Sequence, residues 1–208
     1  MCSSDLAVSG ARVVTQEDVQ PVNDGPNPYR TIRNWGTLPE GRKWGPVSGI
    51  DIDRDGKSVW VFDRCGGSCA GSTLDPVLKF DESGKLLKSF GAGMFAWPHG
   101  VHVDRDGNVW VVDARLTTPA ELKKFPGEQV KGNTVVKFSP EGKVLMTIGK
   151  SGVSGNPPEA LTDPNDVVTA PNGDIYVAES HTNLESTPNA VARISIFDKN
   201  GKFIRSLG

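Results

Sequence analysis

The chain lacks an excess of either charge. Its 23 basic and 25 acidic residues are spread evenly and leave a net charge of −2. No basic patch points to nucleic acid or to an anionic membrane surface. Long apolar runs are also missing, so no segment reaches membrane-spanning length, and no signal peptide is visible. Nucleophile elbow, P-loop and H-E-x-x-H motifs are absent. Cysteine is scarce, at 3. Met1-Cys2-Ser3-Ser4-Asp5-Leu6 reads as translated adapter sequence, so Cys2 is set aside and the natural N-terminus is expected to be lost. Cys65 and Cys69 are spaced either to close a small disulfide loop or to stay as two thiols, and the sequence leaves both open. No second Cys/His pair has the spacing of a structural zinc site.

What is there is glycine, at 24, and proline, at 15, which suits many short strands and turns. Residues 1–28 show no periodicity and read as a disordered lead-in. The stretch Trp97 to Asp113, WPHGVHVDRDGNVWVVD, reads as a β-hairpin. Val101, Val103, Val109 and Val111 alternate with other residues around an Asp106-Gly107 turn. The same hairpin recurs as Ile50 to Asp63 around Asp55-Gly56, and as Val167 to Glu179 around Asn172-Gly173. A second hairpin follows each one, turning at Ser83-Gly84-Lys85, Glu141-Gly142-Lys143 and Asn200-Gly201-Lys202. Turn and closing glycines pair as Gly56/Gly91, Gly107/Gly149 and Gly173/Gly208; only the middle spacing is longer, in the loop after the second strand.

Four short strands per repeat at this period predict β-propeller blades. The fold class is therefore all-β, with blades at about 46–91, 97–149 and 163–208. Arg30-Thr31-Ile32-Arg33-Asn34-Trp35-Gly36 resembles LLKSFG and FIRSLG, which predicts one outer strand of a preceding blade. Three blades and a strand do not close a ring, so the rest of the propeller is expected to be missing.

In a propeller the first strand of each blade lines the central channel. The start of strand one and the end of strand two then meet near the axis on one face. That set includes Ser48, Arg64, His99, Arg115, Asn165, Glu179 and His181. Imidazole and guanidinium at a channel mouth suit an anionic substrate, a metal, or both. Simpler readings stand beside these. His99 reads first as a strand-capping hydrogen bonder and His102 as a packed strand residue. Arg64 and Arg115 read as surface charges or partners of Asp63 and Asp113. Asp53, Asp55, Asp104 and Asp106 read as turn formers, because their D-x-D-G pattern lacks the bidentate Glu of a calcium loop.

The repeat resembles NHL-type six-bladed propellers and, more narrowly, the peptidyl-α-hydroxyglycine α-amidating lyase family. The likeness runs over residues 47–208. It rests on Val47-Ser48-Gly49, Pro98-His99-Gly100 and Pro164-Asn165-Asp166 in that order, and on FDRCGG, WPHGVHVDRDGNVWVVD and DVVTAPNGDIYVAE. The resemblance implies half of a six-bladed ring and a zinc enzyme that cleaves a carbinolamide into a peptide amide and glyoxylate. It makes His99 a zinc ligand and places Arg64 beside the substrate carboxylate. It gives the backbone carbonyls of Ile50 and Val101 to a structural calcium, and it puts His181 where the family has a tyrosine base. Arg115 joins Arg64 as a candidate for binding a small molecule or peptide with a carboxylate. One histidine does not hold a catalytic zinc, which usually has about three protein ligands, so the chain as given is expected to be inactive. The resemblance and the cysteine pair together imply an extracellular or periplasmic location. Two other readings compete. One is a non-catalytic NHL propeller binding a peptide, glycan or protein. The weaker one is a calcium-dependent lactone hydrolase, whose channel carboxylates are not evident.

Overall fold

The structure, a computed structural model, describes residues 25–180 and 190–208. The chain divides into two units, Met1–Arg33 and Asn34–Gly208. The described residues of the first unit, 25–33, form no helix or strand. The second unit holds three four-stranded antiparallel sheets. The first comprises β1 (Val47–Ile52), β2 (Val59–Asp63), β3 (Val77–Phe80) and β4 (Leu86–Phe90). The second comprises β5 (Pro98–Val103), β6 (Val109–Asp113), β7 (Thr134–Phe138) and β8 (Val144–Ile148). The third comprises β9 (Pro164–Thr169), β10 (Ile175–Glu179), β11 (Arg193–Phe197) and β12 (Phe203–Leu207). Each sheet keeps its strands in chain order, and a short helix α1 (Pro119–Lys124) lies in the long loop between β6 and β7. The architecture is a partial β-propeller of three blades.

Local chemistry explains the blades. The glycines of the six hairpin turns, from Gly56 to Gly201, have φ between 70° and 89°, a region other residues rarely adopt. Alternation then sends side chains to opposite faces of each sheet. Trp60, Phe62 and Val77 pack with Val109, Val111 and Phe138 between the first and second blades. Trp110, Val112 and Val135 pack with Val167, Ile175 and Phe197 between the second and third. The middle blade is thus buried on both faces, as stacked blades require.

The first strands of the blades run side by side. A Cβ on Gly49 in β1 would lie 2.8 Å from the His99 carbonyl oxygen in β5. A Cβ on Gly100 in β5 would lie 2.7 Å from Asp166 Oδ1 and 2.8 Å from the Asn165 carbonyl oxygen in β9. Only glycine permits backbones so close. The blades therefore fan about a common line formed by β1, β5 and β9.

One expectation is corrected. Residues 30–36 carry no strand. A strand exists through its ladder partner, and no described segment offers one here. Asn34 instead turns with φ 56°, Trp35 packs on Phe80 at 5.7 Å, and Thr37 forms an isolated parallel bridge to Lys85.

Candidate functional site at the channel mouth

Each first hairpin carries one irregularity at the end away from its turn. The register shifts between Val47 and Gly49 in β1 and between Pro98 and Val101 in β5. In the third blade it shifts where Ala178 and Glu179 face β9. The extra residue falls at Ser48, at His99–Gly100 and at Asn165, the middle of each repeated tripeptide. A bulge bends its strand and re-aims the side chain it carries. Ser48, Ile50, His99, Val101, Asn165 and Asp166 line one concavity of about 370 Å³. The expected mouth set is thus partly assembled, from all three blades.

His99 crosses to the next blade. Its Nδ1 lies 2.7 Å from the carbonyl oxygen of Asn165. A carbonyl only accepts, so Nδ1 is the protonated donor in this contact. That is the arrangement of a metal-ligating imidazole with its supporting carbonyl. Among the described residues, however, no group of three His, Cys, Asp or Glu side chains converges to hold a metal ion. The described residues alone do not make a zinc site.

Arg64 follows β2 and reaches into the second blade, where its Nε donates to the Pro98 carbonyl oxygen at 2.8 Å. Its guanidinium stacks on the Trp97 indole, 4.3 Å from the ring centre, and the Arg115 guanidinium stacks on the same indole at 4.1 Å. Burial, with the Arg115 charge second, pulls the Arg64 pKa below the ordinary arginine value. Of the two simpler readings, pairing with Asp63 and Asp113 does not occur among the described residues. Asp63 is bridged by Arg42 at 3.0 Å, and Arg115 forks onto Glu121 with both oxygens at 2.9 Å. That fork holds the Glu121 carboxyl far below the usual range against the opposing effect of burial, with Ser68 and Thr118 adding to it.

Trp97 and Glu121 escaped the sequence reading. Thr118-Pro119-Ala120-Glu121 is a capping-box sequence and was the available signal. The acids that end the second strands have structural roles of their own. Asp113 accepts from the backbone N–H groups of Ala96 and Trp97 and so pins the segment leading into β5; burial pushes its pKa up to about 6. Glu179, expected at the mouth, is fully buried and held by Arg193, Ser195 and the Thr162 N–H. His102 spans the inner strands as a packed residue, its Nε2 2.9 Å from Thr169 Oγ1 and its Nδ1 3.5 Å from Asp51. Asp53 and Asp104 form their turns and also bind Trp60 and Trp110. Cys65 and Cys69 are disulfide-bonded immediately after Arg64. His181 lies outside the described residues.

No family model matches the chain. It is 24% identical over 204 residues to peptidyl-alpha-hydroxyglycine alpha-amidating lyase 2 of Drosophila melanogaster, covering 90% of this chain and 44% of that protein. It is 31% identical over 185 residues to peptidyl-glycine alpha-amidating monooxygenase A of Xenopus laevis, covering 80% of this chain and 17% of that protein. The chain is a homologue of the amidating lyases. It is also 26% identical over 164 residues to NHL repeat-containing protein 3 of Homo sapiens, covering 76% of this chain and 41% of that protein. This amidating-lyase homologue therefore spans less than half the length of each of the three.

Proposed function

We propose that this chain is the substrate-holding part of a lyase that cleaves an α-hydroxyglycine-type carbinolamide to an amide and glyoxylate. The observation that carries the reading is the placing of Arg64. Among the described residues it donates to the protein from Nε alone, to the carbonyl oxygen of Pro98, the residue before His99. The two Nη groups remain to fork onto a carboxylate. That fork would orient the carbinol carbon toward the mouth. In the reaction the C–N bond breaks, the hydroxyl loses its proton as the aldehyde forms, and the amide nitrogen takes up a proton. A zinc, when bound, would lower the pKa of the carbinol hydroxyl and polarise its oxygen. His99 is one of its ligands in this reading, with the others outside the described residues.

His181 is the candidate base, in place of the tyrosine that the family carries. Calcium at the carbonyls of Ile50 and Val101 is part of the same proposal, supported by both residues lining the concavity with His99. The Cys65–Cys69 disulfide favours an oxidising compartment, extracellular or periplasmic. By itself the chain should be inactive.

The test is glyoxylate release from a hydroxyglycine peptide, with metal analysis of the same sample. The whole protein should release glyoxylate and hold zinc, and the 208-residue chain should do neither. Zinc bound without glyoxylate would refute the lyase reading. One other reading is a non-catalytic NHL propeller that binds a peptide, glycan or protein through its loops. Zinc-free whole protein without activity would leave that one standing.

A further inference from the structure

At the entry to β5 two guanidinium groups stack on the Trp97 indole, and they differ in what they have left to offer. Among the described residues Arg64 gives only Nε to the protein. In Arg115, Nη1 donates to the Leu116 carbonyl oxygen and to Glu121 Oε2, and Nη2 to Glu121 Oε1, all at 2.9 Å. The acid is fixed by its own helix. Thr118 donates to Glu121 Oε2 from both its backbone N–H and its hydroxyl, at 2.8 Å, and its Oγ1 accepts from the Glu121 N–H. With Pro119 at the first helical position, α1 starts in a complete capping box, so Glu121 is held before any ligand arrives.

Charge count follows from this placement. Two uncompensated cations side by side on one indole would favour a dianion. Glu121 removes one of them and leaves a single open fork. We infer that Glu121 is a specificity-determining residue: by neutralising Arg115 beside Trp97 it tunes the Arg64 site to ligands with a single carboxylate. The inference rests on the proposed reading of Arg64 as the carboxylate fork. It makes Arg115 a positioning residue that supports Trp97 and Arg64, with no direct bond to the ligand. The substrate class narrows to monoanionic carboxylates; dicarboxylates and phosphate esters are disfavoured.

The experiment measures acetate and malonate binding by calorimetric titration of the whole protein at low ionic strength, where screening is weak. Wild type should bind acetate and show little gain for malonate. Glu121→Gln keeps a residue that completes a capping box but deletes the charge. It should raise the malonate-to-acetate affinity ratio about tenfold, as expected for a second unit charge acting over about 6 Å through an effective dielectric of about 40. Thr118→Ala loosens the same helix without changing charge and should leave the ratio at its wild-type value. An unchanged ratio in Glu121→Gln, with acetate still bound, would overturn the inference alone. So would a shift in Thr118→Ala as large as that in Glu121→Gln. Wild type that binds neither anion would overturn the Arg64 site itself, and the inference with it.

Discussion

Replacing Gly100 by alanine probes the closeness of the inner strands. Gly100 is buried, and its φ lies outside the left-handed region, so alanine can adopt its backbone conformation. The obstacle is space. The new Cβ would sit 2.7 Å from Asp166 Oδ1, 2.8 Å from the Asn165 carbonyl oxygen and 3.0 Å from the Asp166 Cα. Two of these three are backbone atoms of β9, which cannot swing aside as a side-chain tip would. Overpacking of this kind costs about 1–3 kcal/mol. The smaller unfolded-state entropy of alanine returns about 0.4–1 kcal/mol. The two together leave a loss of up to about 2.6 kcal/mol, centred at about 1 kcal/mol, or roughly 2–4 °C in Tm for a domain of this size. Gly67→Ala is the matched control, because nothing lies within 4 Å of its Cβ position and its φ is also ordinary. Thermal unfolding of both variants, followed by circular dichroism, decides the matter. Gly100→Ala as stable as Gly67→Ala would refute the packing of β5 on β9.

Two further outcomes concern stability. Burial raises the Asp113 pKa to about 6, so the folded state takes up a proton that the unfolded chain binds only near pH 4. Its contribution is therefore present at low pH and lost as pH rises through about 6. Asp53, Asp55, Asp104 and Glu121 have folded pKa values that are lowered, and they withdraw stability only as pH falls below about 4. Urea midpoints should rise between pH 7 and pH 5 and fall below pH 4. Asp113→Asn should abolish the rise, and a midpoint that drops steadily from pH 7 would contradict the assignment. Replacing Cys65 and Cys69 together by serine opens a loop of about five residues, worth about 2 kcal/mol in the loop-entropy account. Tm should fall by roughly 4–8 °C, and an unchanged Tm would show that the bridge adds nothing.

The blades were legible in the sequence because two local rules repeat. Period-two alternation marks each strand, and a glycine with positive φ marks each turn, so Val101 to Val111 could be read without any partner. The order of Val47-Ser48-Gly49, Pro98-His99-Gly100 and Pro164-Asn165-Asp166 also pointed to the mouth. What stayed hidden depends on pairing. A register shift belongs to two strands at once, so neither tripeptide nor strand announces the bulge at His99. The partners of the acids are distant or lie in loops, as with Arg42 on Asp63 and Glu121 on Arg115. Adjacency had suggested Arg64 and Arg115 instead, yet Arg64 is carried across to Pro98 in the next blade. Residues 30–36 fail for a related reason. They share a sequence pattern with β4 and β12, but a pattern without a ladder partner does not make a strand.

The most direct check on the shared axis is the tautomer of His99, read from its two imidazole 15N resonances in the 208-residue chain above pH 8. The contact between β5 and β9 requires a proton on Nδ1, donated to the Asn165 carbonyl oxygen. An Nδ1 without a proton would mean that the two blades do not meet there, and both the channel mouth and the zinc-ligand reading of His99 would fall.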